Sequence, residues 1–237
     1  MSNDITITVF NKTGEDQTVV IFQQDPNINC IFDKVFPTAW RVFDLGMDGR
    51  SNVILPIQYQ IAAGDTKDAF LGSVSVIKNT DAGQKWNYQN NGKYNELEAS
   101  GTQSDQSISC ENKSGYYCSI SLAKNDKPLL TYPKVGDGSM STFFPMTHIY
   151  VAWYNNIVEG SQIKGAISQP QALGIDLEGA KEVDAELTKS GSGRLSWSVK
   201  VNGTPVSLLA DSNGYRPHFS VTNSVLSASI ASEFKWS

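Results

Sequence analysis

The stretch Leu195-Ser196-Trp197-Ser198-Val199-Lys200-Val201 alternates apolar with polar side chains at every step. Successive side chains of a β-strand point to opposite faces, so this alternation is typical of a strand with one buried and one solvent-facing side. The same pattern recurs at 5–9, 71–77 and 226–230, and Gly, Asn and Asp residues that favour turns stand between the copies. We therefore predict an all-β protein.

Short strands separated by turns run through the whole chain, which at 237 residues is within the range of one large all-β domain. We predict a two-sheet antiparallel β-sandwich over 1–237, jelly-roll or Greek-key-like in its connections, with one strand over 52–61. The stretch 134–142 contains Gly and Ser pairs and marks the alternative, in which two fused β subregions meet there. No repeat of fixed period is visible, which disfavours a propeller or a solenoid.

Composition and charge exclude several partner classes. The chain is 40% hydrophobic and 18% charged, which is typical of a soluble globular protein. Its net charge is −5 and its Lys and Arg residues are scattered, so we predict no nucleic-acid partner. The longest apolar runs fall far short of the roughly 20 residues of a membrane-spanning helix, so we predict no transmembrane segment.

The amino terminus has neither the basic region nor the apolar core of a secretory signal. We therefore expect a cytoplasmic protein, or one exported without a cleaved signal peptide. In that case the three Asn-x-Ser/Thr sequences, at Asn11, Asn112 and Asn202, are incidental as glycosylation motifs.

Three cysteines occur, Cys30, Cys110 and Cys118, with no Cys-x-x-Cys spacing that would indicate zinc. Cys110 and Cys118 flank a turn-like sequence, and a hairpin there would bring their thiols together across paired strands. We expect a disulfide between them only in an oxidising compartment. In a reducing compartment we expect both residues to be buried free thiols.

Aromatic side chains interleaved with polar ones form the clearest candidate for a binding site. Alternation places Tyr150 and Tyr154 on the polar-edged face of a predicted strand. Trp86, Tyr88 and Tyr94 stand among Asn and Gln residues. Aromatic faces and amide side chains together supply the stacking and hydrogen bonds that neutral sugars need. The competing interpretation is structural, because Tyr and Trp with buried rings and solvated tips are common in β-proteins.

Histidines and carboxylates supply the candidates for an enzyme. His148 and His218 lie far apart and no third ligand stands at a diagnostic interval, so we predict no metal site. Glu182, Asp184 and Glu186 share one face of a predicted strand. That stripe fits either a cation site or glycosidase acids. A solvated outer strand, charged to discourage edge pairing, is the favoured interpretation, because runs of charge are usually solvated faces.

These patterns favour a non-enzymatic binding module without a cofactor. We predict recognition of carbohydrate, or of a glycolipid or lipid head group as in a lectin or a membrane-targeting toxin component, with homo-oligomers providing avidity. The first alternative is a small-molecule enzyme with a His/carboxylate pocket that includes His148, His218 or Asp184, although no catalytic motif is present. The second is a structural subunit of a larger assembly. The predicted ligand-binding residues are Trp86, Tyr88, Tyr94, Tyr150 and Tyr154.

Overall fold

The computed structural model describes residues 4–23, 35–65, 74–163, 172–206, 220–222 and 225–227. These residues form strands and turns, with no helix among them, which confirms the all-β prediction. In chain order the strands are β1 (Ile5–Lys12), β2 (Gln17–Phe22), β3 (Phe36–Pro37), β4 (Arg41–Leu45), β5 (Arg50–Leu55), β6 (Tyr59–Asp65), β7 (Val74–Thr80), β8 (Gln84–Asn90), β9 (Asn95–Thr102), β10 (Ile108–Lys113), β11 (Cys118–Lys124), β12 (Lys127–Val135), β13 (Met140–Phe143), β14 (His148–Trp153), β15 (Ala172–Asp176), β16 (Glu182–Lys189), β17 (Leu195–Val201), β18 (Thr204–Val206), β19 (Ser220–Thr222) and β20 (Val225–Ser227).

The strands are arranged in four main sheets that pack together as a sandwich-like fold. Sheet A has the order β18-β17-β16-β1-β5, sheet B β15-β14-β2-β4, sheet C β3-β12-β11-β6-β7 and sheet D β13-β10-β8-β9, while β19 and β20 pair as a hairpin. Most neighbours are antiparallel, as predicted. Two pairs are parallel: β1 with β16, and β10 with β8. The structure therefore has more sheets than the two that the sequence suggested.

The four sheets are two copies of one arrangement. Exchanging β1, β2, β4 and β5 with β10 to β13, and β6 to β9 with β14 to β17, interconverts the orders of sheets A and D and those of sheets C and B. Two strands stand outside this correspondence, β18 of sheet A and β3 of sheet C. When β3 is left out of the count, each parallel pair also joins the first strand of one half to the seventh of the other. The chain is thus an internal duplication in which the two halves exchange strands.

A buried asparagine turn marks the duplication in the sequence. Asn11-Lys12-Thr13-Gly14 recurs as Asn112-Lys113-Ser114-Gly115. Asn11 Nδ2 donates to the carbonyls of Glu15 at 2.7 Å and Leu45 at 3.1 Å. Asn112 Nδ2 donates to the corresponding carbonyls of Tyr116 at 2.7 Å and Val135 at 2.9 Å. These two Asn-x-Ser/Thr sequences are therefore structural turns. The connections between corresponding strands differ in length in the two halves, so the duplication does not appear in the sequence as a repeat of fixed period.

One main hydrophobic cluster contains side chains from all four sheets, among them Ile7, Ile21, Ile120 and Tyr88. A smaller cluster, which includes Phe22 and Tyr150, lies on the other face of sheet B. Strands β2 and β14 are consequently buried on both faces, apart from the half-buried Gln17 and Thr18 of β2 and one half-buried residue at each end of β14. The assignment of 1–237 to a single domain stays a prediction.

Pro56 stands between β5 of sheet A and β6 of sheet C, and Pro145 stands between β13 of sheet D and β14 of sheet B. The strand predicted over 52–61 is wrong as a single element: β5 ends at Leu55 in sheet A and β6 begins at Tyr59 in sheet C. Proline has no N–H to donate to a ladder, so pairing stops there. The other suspected boundary, 134–142, contains the turn from β12 to β13, which leads from sheet C to sheet D.

The predicted hairpin between Cys110 and Cys118 is also wrong, because β10 lies in sheet D and β11 in sheet C. Both residues are buried and no disulfide joins them. Burial raises the pKa of the Cys110 thiol, and the neighbouring Cys118 raises it further. Cys30 lies outside the described residues.

Candidate functional site

Three of the five predicted binding aromatics belong to the core. Trp86 is 7% exposed and its Nε1 donates to Thr80 Oγ1 at 2.8 Å, and Tyr88 is completely buried. Tyr150 is 5% exposed and stacks on Phe22 with ring centroids 5.4 Å apart. The face of β14 that was expected to be a wet aromatic strip is therefore covered. The alternation itself was correct, but both faces of this strand are buried.

The other two differ in exposure. Tyr154 is half-buried and packs against the smaller cluster, whereas Tyr94 is 61% exposed. The structure does not bring the five side chains together on one surface, and their role in ligand binding stays a prediction. Tyr94 is the member of the set that is largely open to solvent.

The His/carboxylate candidates are only partly brought together. His148 Nε2 lies 3.9 Å from Asp176 Oδ2, because the two residues face each other across β14 and β15. Asp176 Oδ1 also accepts from the backbone N–H of Glu178 at 3.0 Å. Asp184 lies elsewhere, on β16 of sheet A, and His218 lies outside the described residues. The enzyme alternative stays untested.

The acidic stripe has the predicted alternation: Val183, Ala185 and Leu187 are buried, and the three acids point to the other face. Across the strands, Asp184 is opposite Thr8 on β1 and Lys200 on β17. Among the described residues, no group of three or more His, Cys, Asp or Glu side chains could hold a metal ion. Nor does any helix in the described ranges have the length and apolarity needed to cross a membrane.

A different set of aromatics lies at one edge of sheet D. Strands β8 and β10 are parallel, so the turns that follow them come to the same edge. Tyr94, in the first turn, is 61% exposed; Tyr116 and Tyr117, in the second, are 43% and 57% exposed. Asn95 Nδ2 donates to the Tyr116 hydroxyl and so links the two turns. We call Tyr94, Tyr116 and Tyr117 the tyrosine edge.

Side-chain hydrogen bonds order the turn that carries Tyr94. Asn91 Oδ1 accepts from the backbone N–H of Lys93 at 3.0 Å and of Tyr94 at 3.1 Å. Asn90 Oδ1 accepts from the N–H of Gly92 at 2.7 Å. Bonds of this kind fix a tight turn without help from packing. Tyr94 is therefore presented by a defined backbone.

Tyr117 is held against the turn between β12 and β13. Lys134 Nζ lies 4.7 Å from its ring centroid. A Cβ at Gly136 would lie 3.4 Å from Tyr117 Cε1, so the ring rests close to this glycine. Asp137 Oδ1 accepts from the N–H of Gly115 at 2.9 Å and ties the two turns together. The ring is fixed on these sides and is still 57% exposed.

The internal duplication supplies a comparison for this edge. At the corresponding positions of sheet A stand Arg194, Glu15 and Asp16, in place of Tyr94, Tyr116 and Tyr117 respectively. We call these three residues the charged edge. Its turn has the same asparagine hydrogen bonds. The fold thus forms this turn with charged residues, so the turn itself does not require the tyrosines.

The difference between the two asparagine repeats is the sequence signal for the tyrosine edge. Asn112-Lys113-Ser114-Gly115-Tyr116-Tyr117 repeats Asn11-Lys12-Thr13-Gly14-Glu15-Asp16 with the last two residues changed in character. The equivalent positions in the first repeat are the charged Glu15 and Asp16, which indicates that positions 116 and 117 are exposed. Composition and alternation alone favoured Trp86 and Tyr88, which lie on a strand.

Comparison with known proteins gives no assignment. No family model, curated protein or solved structure matches the chain.

Proposed function

We propose that the protein is a non-enzymatic binding module that recognises carbohydrate, free or as the head group of a glycolipid, at the tyrosine edge. The observation that carries this proposal is the exposure of three tyrosines, on turns joined by the Asn95–Tyr116 hydrogen bond. Large exposed aromatic side chains that cluster on a surface are typical of interaction sites.

The chemistry of the edge suits sugars. The apolar face of a pyranose ring stacks on an exposed tyrosine ring, and phenol hydroxyls and amides exchange hydrogen bonds with sugar hydroxyls. Tyrosine also loses little side-chain entropy on binding, because only two torsions are fixed. Ordered turns lower the entropic cost further. A shallow edge of this kind gives weak binding per site, so the proposal includes avidity from several copies of the chain.

Binding to immobilised glycans and to glycolipid-containing vesicles tests the proposal. Tyr116→Ala and Tyr117→Ala should each weaken binding at least about fivefold, as is usual for a central aromatic contact. Glu15→Ala and Arg194→Ala are matched controls, since they truncate the corresponding positions of the charged edge, and should leave binding unchanged. Competition by the free oligosaccharide distinguishes sugar recognition from recognition of the lipid.

Two results would contradict the proposal. One is the absence of binding to any glycan in a broad panel that includes glycolipid vesicles. The other is a glycan affinity that Tyr116→Ala and Tyr117→Ala leave unchanged while both variants keep the melting temperature of the parent.

A further inference from the structure

Lys134 places a positive charge beside Tyr117 of the tyrosine edge. It stands near the end of β12, is exposed, and holds its ammonium 4.7 Å from the centroid of the Tyr117 ring. Among the described residues, no carboxylate lies within ion-pair distance of this ammonium. By contrast, the neighbouring Lys113 is paired with Glu111 at 3.0 Å.

The charge at this position is reversed in the other half of the duplication. Lys134 corresponds to Asp44, just as Val135 corresponds to Leu45. Asp44 Oδ1 accepts from the Thr18 hydroxyl at 2.7 Å. The charged edge therefore carries an acid where the tyrosine edge carries a base, although the strands and turns around them are equivalent.

The turn between β12 and β13 contains one acidic residue, Asp137. Its Oδ1 already accepts from the N–H of Gly115. The net charge of −5 is spread over the chain, and at physiological ionic strength charges farther away than about 8 Å are largely screened. Lys93 is a second exposed cation of the edge, in the turn that carries Tyr94. The ammonium that lies beside Tyr117 is that of Lys134.

We infer that Lys134 is a specificity-determining residue of the tyrosine edge, and that the preferred ligands are acidic saccharides bearing a carboxylate or a sulfate. This inference rests on the proposed function. The Lys134 ammonium lies over one face of the Tyr117 ring, 4.7 Å from its centroid. An acidic substituent of a sugar in contact with this ring meets the ammonium once the lysine side chain turns toward it. The lysine ammonium is a compact charge with three rotatable N–H donors on a flexible side chain, so it can donate to a carboxylate or a sulfate in several orientations.

Matched acidic and neutral ligands test the inference on the full chain. Suitable pairs are oligogalacturonate with its methyl ester, sialyllactose with lactose, and a sulfated oligosaccharide with its desulfated form. We expect the acidic member of at least one pair to bind about tenfold more tightly than its neutral partner, as a charge-assisted hydrogen bond would provide. Lys134→Gln should abolish this preference, so that the acidic and the neutral member of the pair bind this variant equally, whereas Lys134→Arg should retain it.

Lys113→Gln is the matched control, because Lys113 lies on the same edge with its charge paired. It should keep the preference for the acidic member. If neutral members bind as tightly as acidic ones, or if Lys134→Gln keeps the preference, the inference is wrong and the proposed function stands. If no member of any pair binds and the wider glycan panel is also negative, the proposed function is wrong, and the inference with it.

Discussion

Gln23 and Lys124 occupy equivalent positions in the two halves and make equivalent hydrogen bonds. Gln23 Nε2 donates to the carbonyl of Met146 at 3.3 Å, and Lys124 Nζ donates to the carbonyl of Ile57 at 2.8 Å. Each accepting residue directly follows the proline between two sheets. The Tyr59 hydroxyl donates to the same Met146 carbonyl at 2.8 Å. The duplication thus preserves a hydrogen bond while one half uses an amide and the other an ammonium.

The buried ammonium of Lys124 predicts a stability that depends on pH. Burial lowers the pKa of Lys124 from 10.5 to about 8, and Asp4 opposes part of this change. Between about pH 8 and 10.5 the unfolded chain holds the proton that the folded chain has lost, so the free energy of unfolding rises with pH. Lys124→Gln, which copies Gln23, removes this contribution. The stability of the parent relative to Lys124→Gln should increase by up to about 3 kcal/mol between pH 7 and pH 10.5.

Urea denaturation of the two proteins at several pH values measures this difference. Other titrating groups, including Tyr59, whose burial raises its pKa, are present in both proteins and contribute similarly to both. A difference in unfolding free energy that stays constant from pH 7 to pH 10.5 would show that the ammonium is not destabilised by burial.

The buried Asn112 should contribute more to stability than an asparagine on the solvent-exposed surface. Asn112→Ala removes the donor to the carbonyls of Tyr116 and Val135 and the acceptor of the Ser114 N–H and hydroxyl. Leaving several buried groups unsatisfied costs about 2–4 kcal/mol. Asn11→Ala should cost a similar amount. The exposed Asn52 on β5 is the control, and Asn52→Ala should change stability by less than about 0.5 kcal/mol.

Gly136 is expected to position Tyr117. Gly136→Ala places a Cβ at ordinary contact distance, 3.4 Å, from the ring, and should bind glycan like the parent. The larger side chain of Gly136→Val must displace the ring, and should weaken glycan binding several-fold without a matching loss of melting temperature. The equivalent Gly46 faces Asp16, so Gly46→Val serves as the control. Equal binding by the two valine variants would argue against this role.

A substitution at Trp86 distinguishes two roles for this residue: the ligand-binding role predicted from the sequence, and the role in the core seen in the structure. Trp86→Phe loses the hydrogen bond to Thr80 and some buried volume, and should destabilise the protein by about 1–2 kcal/mol. Because Trp86 is 7% exposed, glycan affinity should change less than about twofold, a limit typical of residues outside the contact. A loss of affinity with unchanged stability would instead favour the aromatic surface predicted from the sequence.

The two buried cysteines should react only when the protein unfolds. Burial raises the pKa of the Cys110 thiol, and the thiolate is the reactive form. In a Cys30→Ser background, which removes the cysteine outside the described residues, a thiol reagent should modify Cys110 and Cys118 at the rate of unfolding. Rapid modification under native conditions would contradict the burial of β10 and β11.

Strand positions were predictable where one face of a strand is buried and the other is wet. The alternation at 195–201 predicts a strand whose buried face carries Trp197, Val199 and Val201, and these three side chains are buried in β17. The same logic misjudged β14, because a second cluster covers the face that carries Tyr150. Alternation reports that a strand has two different faces. It does not report whether another part of the chain packs on the more polar one.

The sequence by itself determined the all-β class and most strands, because side-chain period and turn propensity are local properties. Only the tertiary structure decided that Trp86 and Tyr88 are buried, that β8 runs parallel to β10, and that Tyr94 and Tyr116 therefore meet at one edge. Strand exchange between the halves pairs residues far apart in the chain, such as Val9 with Ala185. Such pairing depends on how complete sheets bury their apolar faces together, and no local pattern encodes it.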